Sequence, residues 1–160
     1  VGRYPNLVVS RTFSKAYGLA GMRVGYAIGP EYVMDAAGAV AIPFAVSDLA
    51  QRAAIASLDH EAELLERVAS LVKLRERVWD ALIEQGWDAP RPHGNFVWLP
   101  TGDDTAIAAG IFEAHGIVAR ALGEGLRVTI GEAESVDKLL KASGEVVTMR
   151  RTTPPAATLD

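Results

Sequence analysis

The sequence predicts an α/β fold, on three observations. Short Val- and Leu-rich runs alternate with longer stretches of helical periodicity, the order in which helices come to cover a sheet. Gly and Pro punctuate most of the junctions between these stretches. The chain has 160 residues, 49% of them hydrophobic and 22% charged, enough for one real core.

The elements follow in order. Residues 6–12 read as a short buried strand. Residues 16–22 form a Gly-rich turn with room for a short helix, and 24–28 read as the next strand. Pro30 and Glu31 start a helix through about Ala39, Pro being well tolerated at a first helical position. Residues 42–44 are a breaker around Pro43. Ser47 is the expected N-cap of a helix over 48–58, with Asp48 as competitor. The longest helix runs from about His60 to Gln85. Leu64, Leu65, Val68, Leu71, Val72, Val78, Trp79, Leu82 and Ile83 fall on one face by steps of three and four. The charges around them read as a solvated surface with helical ion pairs, and Gly86 ends the helix. A strand over 95–99 stops at Pro100. Asp103 or Asp104 is expected to cap a helix over 105–115 that Gly116 stops. Residues 117–120 and 126–130 read as strands. The last helix spans 132 to about 147, weakened near its end by Gly144, and 151–160 read as a flexible tail.

Composition narrows the function. The net charge is −4 with no dense basic run, so nucleic acid is not an expected partner; Arg150 and Arg151 alone are too short a run to change that. No apolar stretch reaches membrane-spanning length and no signal peptide is visible, which fits a cytoplasmic enzyme and no membrane partner. Without cysteine there is no disulfide, thiolate metal site or cysteine nucleophile. His60, His93 and His115 lack metal-ligand spacing, so no metal is expected.

The chemistry lies in the segment S-R-T-F-S-K-A-Y-G-L-A-G-M-R-V-G-Y, residues 10–26. It sets Lys15 behind two hydroxyls and eight residues before Arg23, with glycines between. A lysine amine can form a Schiff base with the aldehyde of pyridoxal phosphate. Thr12 and Ser14 can donate to phosphate oxygens, and Arg23 can grip the same phosphate with a two-pronged, charge-assisted fork. Gly18, Gly21 and Gly25 permit tight turning and close backbone approach.

This segment resembles the cofactor-lysine segment of the fold-type I, aspartate-aminotransferase-like enzymes. In its detail it is most similar to the histidinol-phosphate and aromatic aminotransferase branch. The resemblance implies that Lys15 is the catalytic residue and binds pyridoxal 5'-phosphate together with Ser14, Thr12 and Arg23. A substrate amine displaces Lys15, whose freed amine then carries a proton between the substrate and the cofactor. That role needs a neutral amine near pH 7, hence a pKa below the ordinary ~10.4, and a nearby Arg23 favours it. The stretch G-L-R-V-T-I-G at 125–131 resembles a family strand whose arginine, here Arg127, holds the substrate's anionic group. An arginine inside an apolar strand is costly without an anion beside it. Arg120 resembles a second arginine at that end of the substrate, with a solvated strand-end residue as the alternative. Asn95, in H-G-N-F, resembles the family's A-N-F turn near the substrate, with Gly94 where the family has another small residue.

The resemblance also implies architecture. The resembling enzymes are about twice as long, so the chain reads as a C-terminal portion. Residues 1–46 would be the end of the large cofactor domain, 47–150 the linking helix and small α/β domain, and 151–160 the tail. The aspartate on the pyridine nitrogen and the ring stacked on the cofactor come from upstream in the family, so the chain alone is expected to be weak or inactive. Family members are homodimers. The implied reaction moves an amino group between an aromatic amino acid or histidinol phosphate and a 2-oxo acid such as 2-oxoglutarate. The stretches Y-G-L-A-G-M-R-V-G-Y and N-F-V-W-L resemble actinobacterial aromatic aminotransferases, which leans the reading toward aromatic amino acids. The alternatives are a decarboxylase of the same fold and a non-catalytic small-domain or dimerisation role. A nucleotide-binding loop disagrees with the spacing, because the glycines follow the lysine.

Overall fold

The computed structural model describes residues 2–152. These form two compact units, with the boundary between Val68 and Ala69 inside the long helix.

The first unit holds strands β1 (Val9–Thr12) and β2 (Gly25–Ile28), antiparallel with Val9 opposite Ile28 and Thr12 opposite Gly25. A 3₁₀ turn at Ala20–Met22 lies between them. The expected strand at 6–12 forms only over its second half. Helix α1 (Glu31–Ala39) follows Pro30, which takes the cap position with extended backbone. The breaker at 42–44 has no regular structure, and Phe44 is fully exposed. Helix α2 (Asp48–Asp59) is capped by Ser47, whose side chain accepts from the Ala50 N–H, as the sequence predicts. Helix α3 (Glu61–Gln85) opens with Glu61 and Glu63 in its first turn, where acidic residues suit the helix dipole.

The second unit packs the end of α3, helix α4 (Thr105–Ala114) and helix α5 (Ala133–Thr152) on a three-stranded antiparallel sheet. Its strands β3 (Phe96–Pro100), β4 (Arg120–Leu122) and β5 (Gly125–Thr129) lie in the order β3-β5-β4. Alternation sends Val97 and Leu99 of β3, and Leu126 and Val128 of β5, to one face, with Val97 opposite Val128 and Leu99 opposite Leu126. These four join Val78 and Leu82 of α3, Phe112 of α4, and Val136, Leu139 and Val146 of α5 in one buried core. Full burial of each such Leu or Phe contributes roughly 1.5–3 kcal/mol. Of the predicted apolar face of α3, Val78 and Leu82 are buried, Leu71 and Trp79 pack against the same core, and Leu65, Val72 and Ile83 are exposed.

Gly86 ends α3 with φ +96, a left-handed position that a side chain would strain, and the Trp87 N–H returns to the Leu82 carbonyl at 3.1 Å. Three expectations fail. Asp104 does not cap α4 with its side chain but pairs with Arg150 at 3.3 Å, while the Thr105 hydroxyl donates to the Gly102 carbonyl. Residues 117–119 are not strand: the Ile117 N–H is committed to the Phe112 carbonyl at the end of α4, and Val118 is 95% exposed. Finally, α5 runs past Val147 to Thr152: Gln85 donates to the Leu140 carbonyl and accepts from the Ser143 hydroxyl beside Gly144, and beyond it Arg150 donates to the Pro100 carbonyl and pairs with Asp104. Arg151 and Thr152 are therefore helical, and the rest of the expected tail lies outside the described residues.

Candidate active site

The site residues read from the sequence fall into two groups, one in each unit. In the first, the Phe13 N–H donates to the Val24 carbonyl at 3.2 Å and closes the neck of the loop between β1 and β2. Ser14 and Arg23 are the first residues on the loop side of that bond. The Gly18 N–H donates to the Lys15 carbonyl and the Leu19 N–H to the Phe13 carbonyl, both at 2.9 Å. Lys15 thus opens a tight turn. It is exposed, and no hydrogen bond or ion pair engages its amine among the described residues. Thr12 Oγ1 accepts from the Ser14 N–H at 3.0 Å, which pins the strand end and leaves the threonine hydrogen available to donate outward. Arg23 has φ +55 and spends Nη1 on the Ala20 carbonyl at 2.8 Å, leaving the rest of its fork without a protein acceptor among the described residues.

An aromatic cluster backs the loop. Phe13 is buried, with its ring centroid 4.8 Å from that of Tyr17 and 6.1 Å from that of Tyr26. Tyr17 donates to Glu61 Oε1 at 2.7 Å. That bond to the carboxylate, with desolvation second, holds the Tyr17 phenol above its ordinary pKa.

In the second unit, Arg127 lies on the sheet face opposite the core, with Trp98 across from it on β3 and Arg120 across from it on β4. Its guanidinium sits 5.4 Å from the Phe96 ring centroid. Its Nε is buried with no hydrogen-bond partner among the described residues. The Trp98 indole covers Gly125, where an added Cβ would also fall 2.6 Å from the Leu99 carbonyl. Asn95 lies just before β3, and its carbonyl accepts from the Ile130 N–H at 2.9 Å, extending the ladder one step. Its side chain is exposed, as is that of His93. Among the described residues no cluster of His, Asp and Glu has metal-binding geometry, and no helix is long and apolar enough to cross a membrane.

The family model for aminotransferase class I and II matches residues 1–142. The chain belongs to this family. Its cofactor is pyridoxal phosphate, and the fold is the fold-type I transferase fold the sequence predicts. An aromatic amino acid aminotransferase of Streptomyces coelicolor is 56% identical over 142 residues, 88% of this chain and 40% of that protein. A histidinol-phosphate aminotransferase of Sinorhizobium meliloti, solved with pyridoxal 5'-phosphate, is 30% identical with a TM-score of 0.75 over 91% of this chain and 42% of that one. The histidinol-phosphate aminotransferase of Clostridium acetobutylicum reaches a TM-score of 0.81 at 23% identity, over 92% of this chain and 48% of that one, a likeness of fold alone. The chain spans about 40% of the length of the curated relatives it matches.

Sequence reasoning missed three members of these constellations. Phe96 and Trp98 frame Arg127, and their i, i+2 spacing on a strand was the available signal. Glu61 lies 44 residues from Tyr17, a pairing that no local pattern carries.

Proposed function

We propose that this chain works as part of a pyridoxal-phosphate-dependent aminotransferase that moves an amino group between an aromatic amino acid and a 2-oxo acid such as 2-oxoglutarate. The observation that carries this is the hairpin at Lys15: an exposed amine at the head of a tight turn, without a protein partner among the described residues, with the Ser14 hydroxyl and the incompletely used Arg23 guanidinium on the same loop and the Thr12 hydroxyl at the end of β1. That donor set fits a phosphorylated aldehyde. Lys15 would hold the aldehyde, and the Ser14 and Thr12 hydroxyls with Arg23 would hold the phosphate. When bound, the cofactor supplies an electron sink that acidifies the substrate's α carbon. The Lys15 amine would move the proton at that carbon. Arg127, with Arg120 beside it, binds the substrate's anionic group, and Asn95 lies at the substrate's edge.

The aromatic choice over histidinol phosphate rests on the names of relatives 46–56% identical to this chain. In this reading residues 1–46 belong to the large cofactor domain and 47–150 to the linking helix and small domain, and the protein is a cytoplasmic homodimer. The alternative, a decarboxylase of the same fold, would be told apart by its release of carbon dioxide.

The test is an absorbance spectrum of the chain and of Lys15→Ala after adding pyridoxal phosphate, with borohydride trapping and peptide mapping. An adduct on Lys15 that the variant lacks supports the reading. Trapping spread over Lys73, Lys138 and Lys141 with none at Lys15 overturns it.

A further inference from the structure

We infer that Tyr17 and Glu61 act as a latch that sets the position of the Lys15 turn, and that both are positioning residues for the cofactor lysine. The inference rests on the reading of Lys15 above.

Lys15 and Gly18 are the ends of a tight turn, and Tyr17 is its third residue. The turn is tied to its own strand ends by the Leu19-to-Phe13 bond and by the Phe13–Tyr17 ring contact. All of these ties are local to the loop. The Tyr17–Glu61 bond is different in kind: at 2.7 Å it fastens the turn to the first turn of α3, a 25-residue helix. Glu61 lies in the first turn of α3, where a carboxylate is favoured by the positive end of the helix dipole. A phenol donating to a carboxylate is a charge-assisted bond, stronger than a neutral one. A side chain two residues from Lys15 is thus anchored on a helix, which restricts where the Lys15 backbone, and so the base of its side chain, can stand. Placement of a reacting group within a fraction of an ångström is what such support supplies.

The test uses Tyr17→Phe, Glu61→Ala and the pair together, with Glu61→Gln as the conservative rescue, since its amide oxygen still accepts. Tyr17→Phe keeps the ring against Phe13, so the loop retains its packing. Two readouts are taken. Hydrogen exchange at the Gly18 and Leu19 amides is expected to quicken about fivefold in Tyr17→Phe and Glu61→Ala, with the amides of β3 and β5 unchanged. The rate of borohydride-trapped pyridoxal phosphate on Lys15 is expected to fall about fivefold in each single variant, no further in the double variant, and to return in part in Glu61→Gln. Additive losses, or unchanged exchange and trapping in both single variants while the wild type still traps at Lys15, overturn the latch and leave the cofactor reading standing. A wild type that traps nothing at Lys15 overturns both.

Discussion

Arg120 and Arg127 stand directly opposite each other in the β4–β5 register, two like charges in one cross-strand pair. Such a pair is destabilising unless something negative joins it. No carboxylate is in ion-pair distance of either residue among the described residues, and Arg127 Nε is buried without an acceptor. On the function proposed above, the substrate's anionic group is what joins the pair.

The first prediction follows from that cost. Arg127→Met keeps the stem against Phe96 and removes the orphaned donor, so it is expected to raise stability by about 1 kcal/mol in urea unfolding. If Arg127 binds the substrate's anionic group as proposed, a 2-oxo acid at 100 times its dissociation constant is expected to stabilise the wild type by about 2.7 kcal/mol and to leave the variant unmoved. A variant less stable than the wild type would mean that the guanidinium is satisfied by the fold itself.

The second concerns the wall of the same face. Gly125 lies under the Trp98 indole and against the Leu99 carbonyl. In Gly125→Ala the added methyl meets both, and backbone at 2.6 Å cannot swing aside as a flexible side chain can. The expected cost is roughly 1–3 kcal/mol by thermal unfolding, with Trp98 fluorescence altered in the folded state. Unchanged stability and fluorescence would show that β3 and β5 part more easily than their register implies.

Much of this was legible in the sequence because the deciding signals are local. Ser47 caps α2, Gly86 ends α3, and the alternation of Val97, Leu99, Leu126 and Val128 marks the core face, each within a few residues of the feature it controls. The motif at 10–26 likewise places Thr12, Ser14, Lys15 and Arg23 on one hairpin, since hairpin neighbours are near in sequence. What escaped is tertiary. Gly144 is a poor helix residue, yet α5 continues because Gln85, 58 residues before Ser143, holds that turn. Asp104 looked like a cap and serves Arg150 instead. The Tyr17–Glu61 bond has no sequence signature at all.

Acid sensitivity gives the third prediction. Glu76 Oε1 accepts from Arg75 and Oε2 from Arg91, each at 2.7 Å, and Arg75 also donates to the Gly94 carbonyl. The cluster fastens the connection after α3 back onto that helix. The hydrogen bond from Arg75 is the main cause, with the charge of Arg91 behind it, of a Glu76 pKa below the ordinary carboxylate range. A folded-state pKa lowered below the unfolded one stabilises above the unfolded value of ~4.3 and fades as pH falls through the folded value. Glu76→Gln has no such proton to gain. The drop in urea midpoint between pH 6 and pH 3 is therefore expected to be smaller in Glu76→Gln than in the wild type. Identical acid limbs would place the sensitivity elsewhere.

The last prediction separates folding from function at Arg23. Its φ of +55 puts a residue with a Cβ in the left-handed region, at a cost of roughly 1–2 kcal/mol, where glycine would sit without strain. Strain of this kind persists where the side chain is needed. Arg23→Gly relieves it but adds backbone freedom to the unfolded chain, so the net change in stability is expected to stay within about 1 kcal/mol. The same change removes the fork proposed to grip the cofactor's phosphate, and pyridoxal phosphate affinity is expected to fall about 10- to 100-fold, the range for a lost charge-assisted bond. Arg23→Lys keeps the charge and the strain but loses the fork, and is expected between the two in affinity. Thermal unfolding beside a cofactor titration decides the matter. Undiminished affinity in Arg23→Gly would confine Arg23 to ending the 3₁₀ turn through its bond to the Ala20 carbonyl.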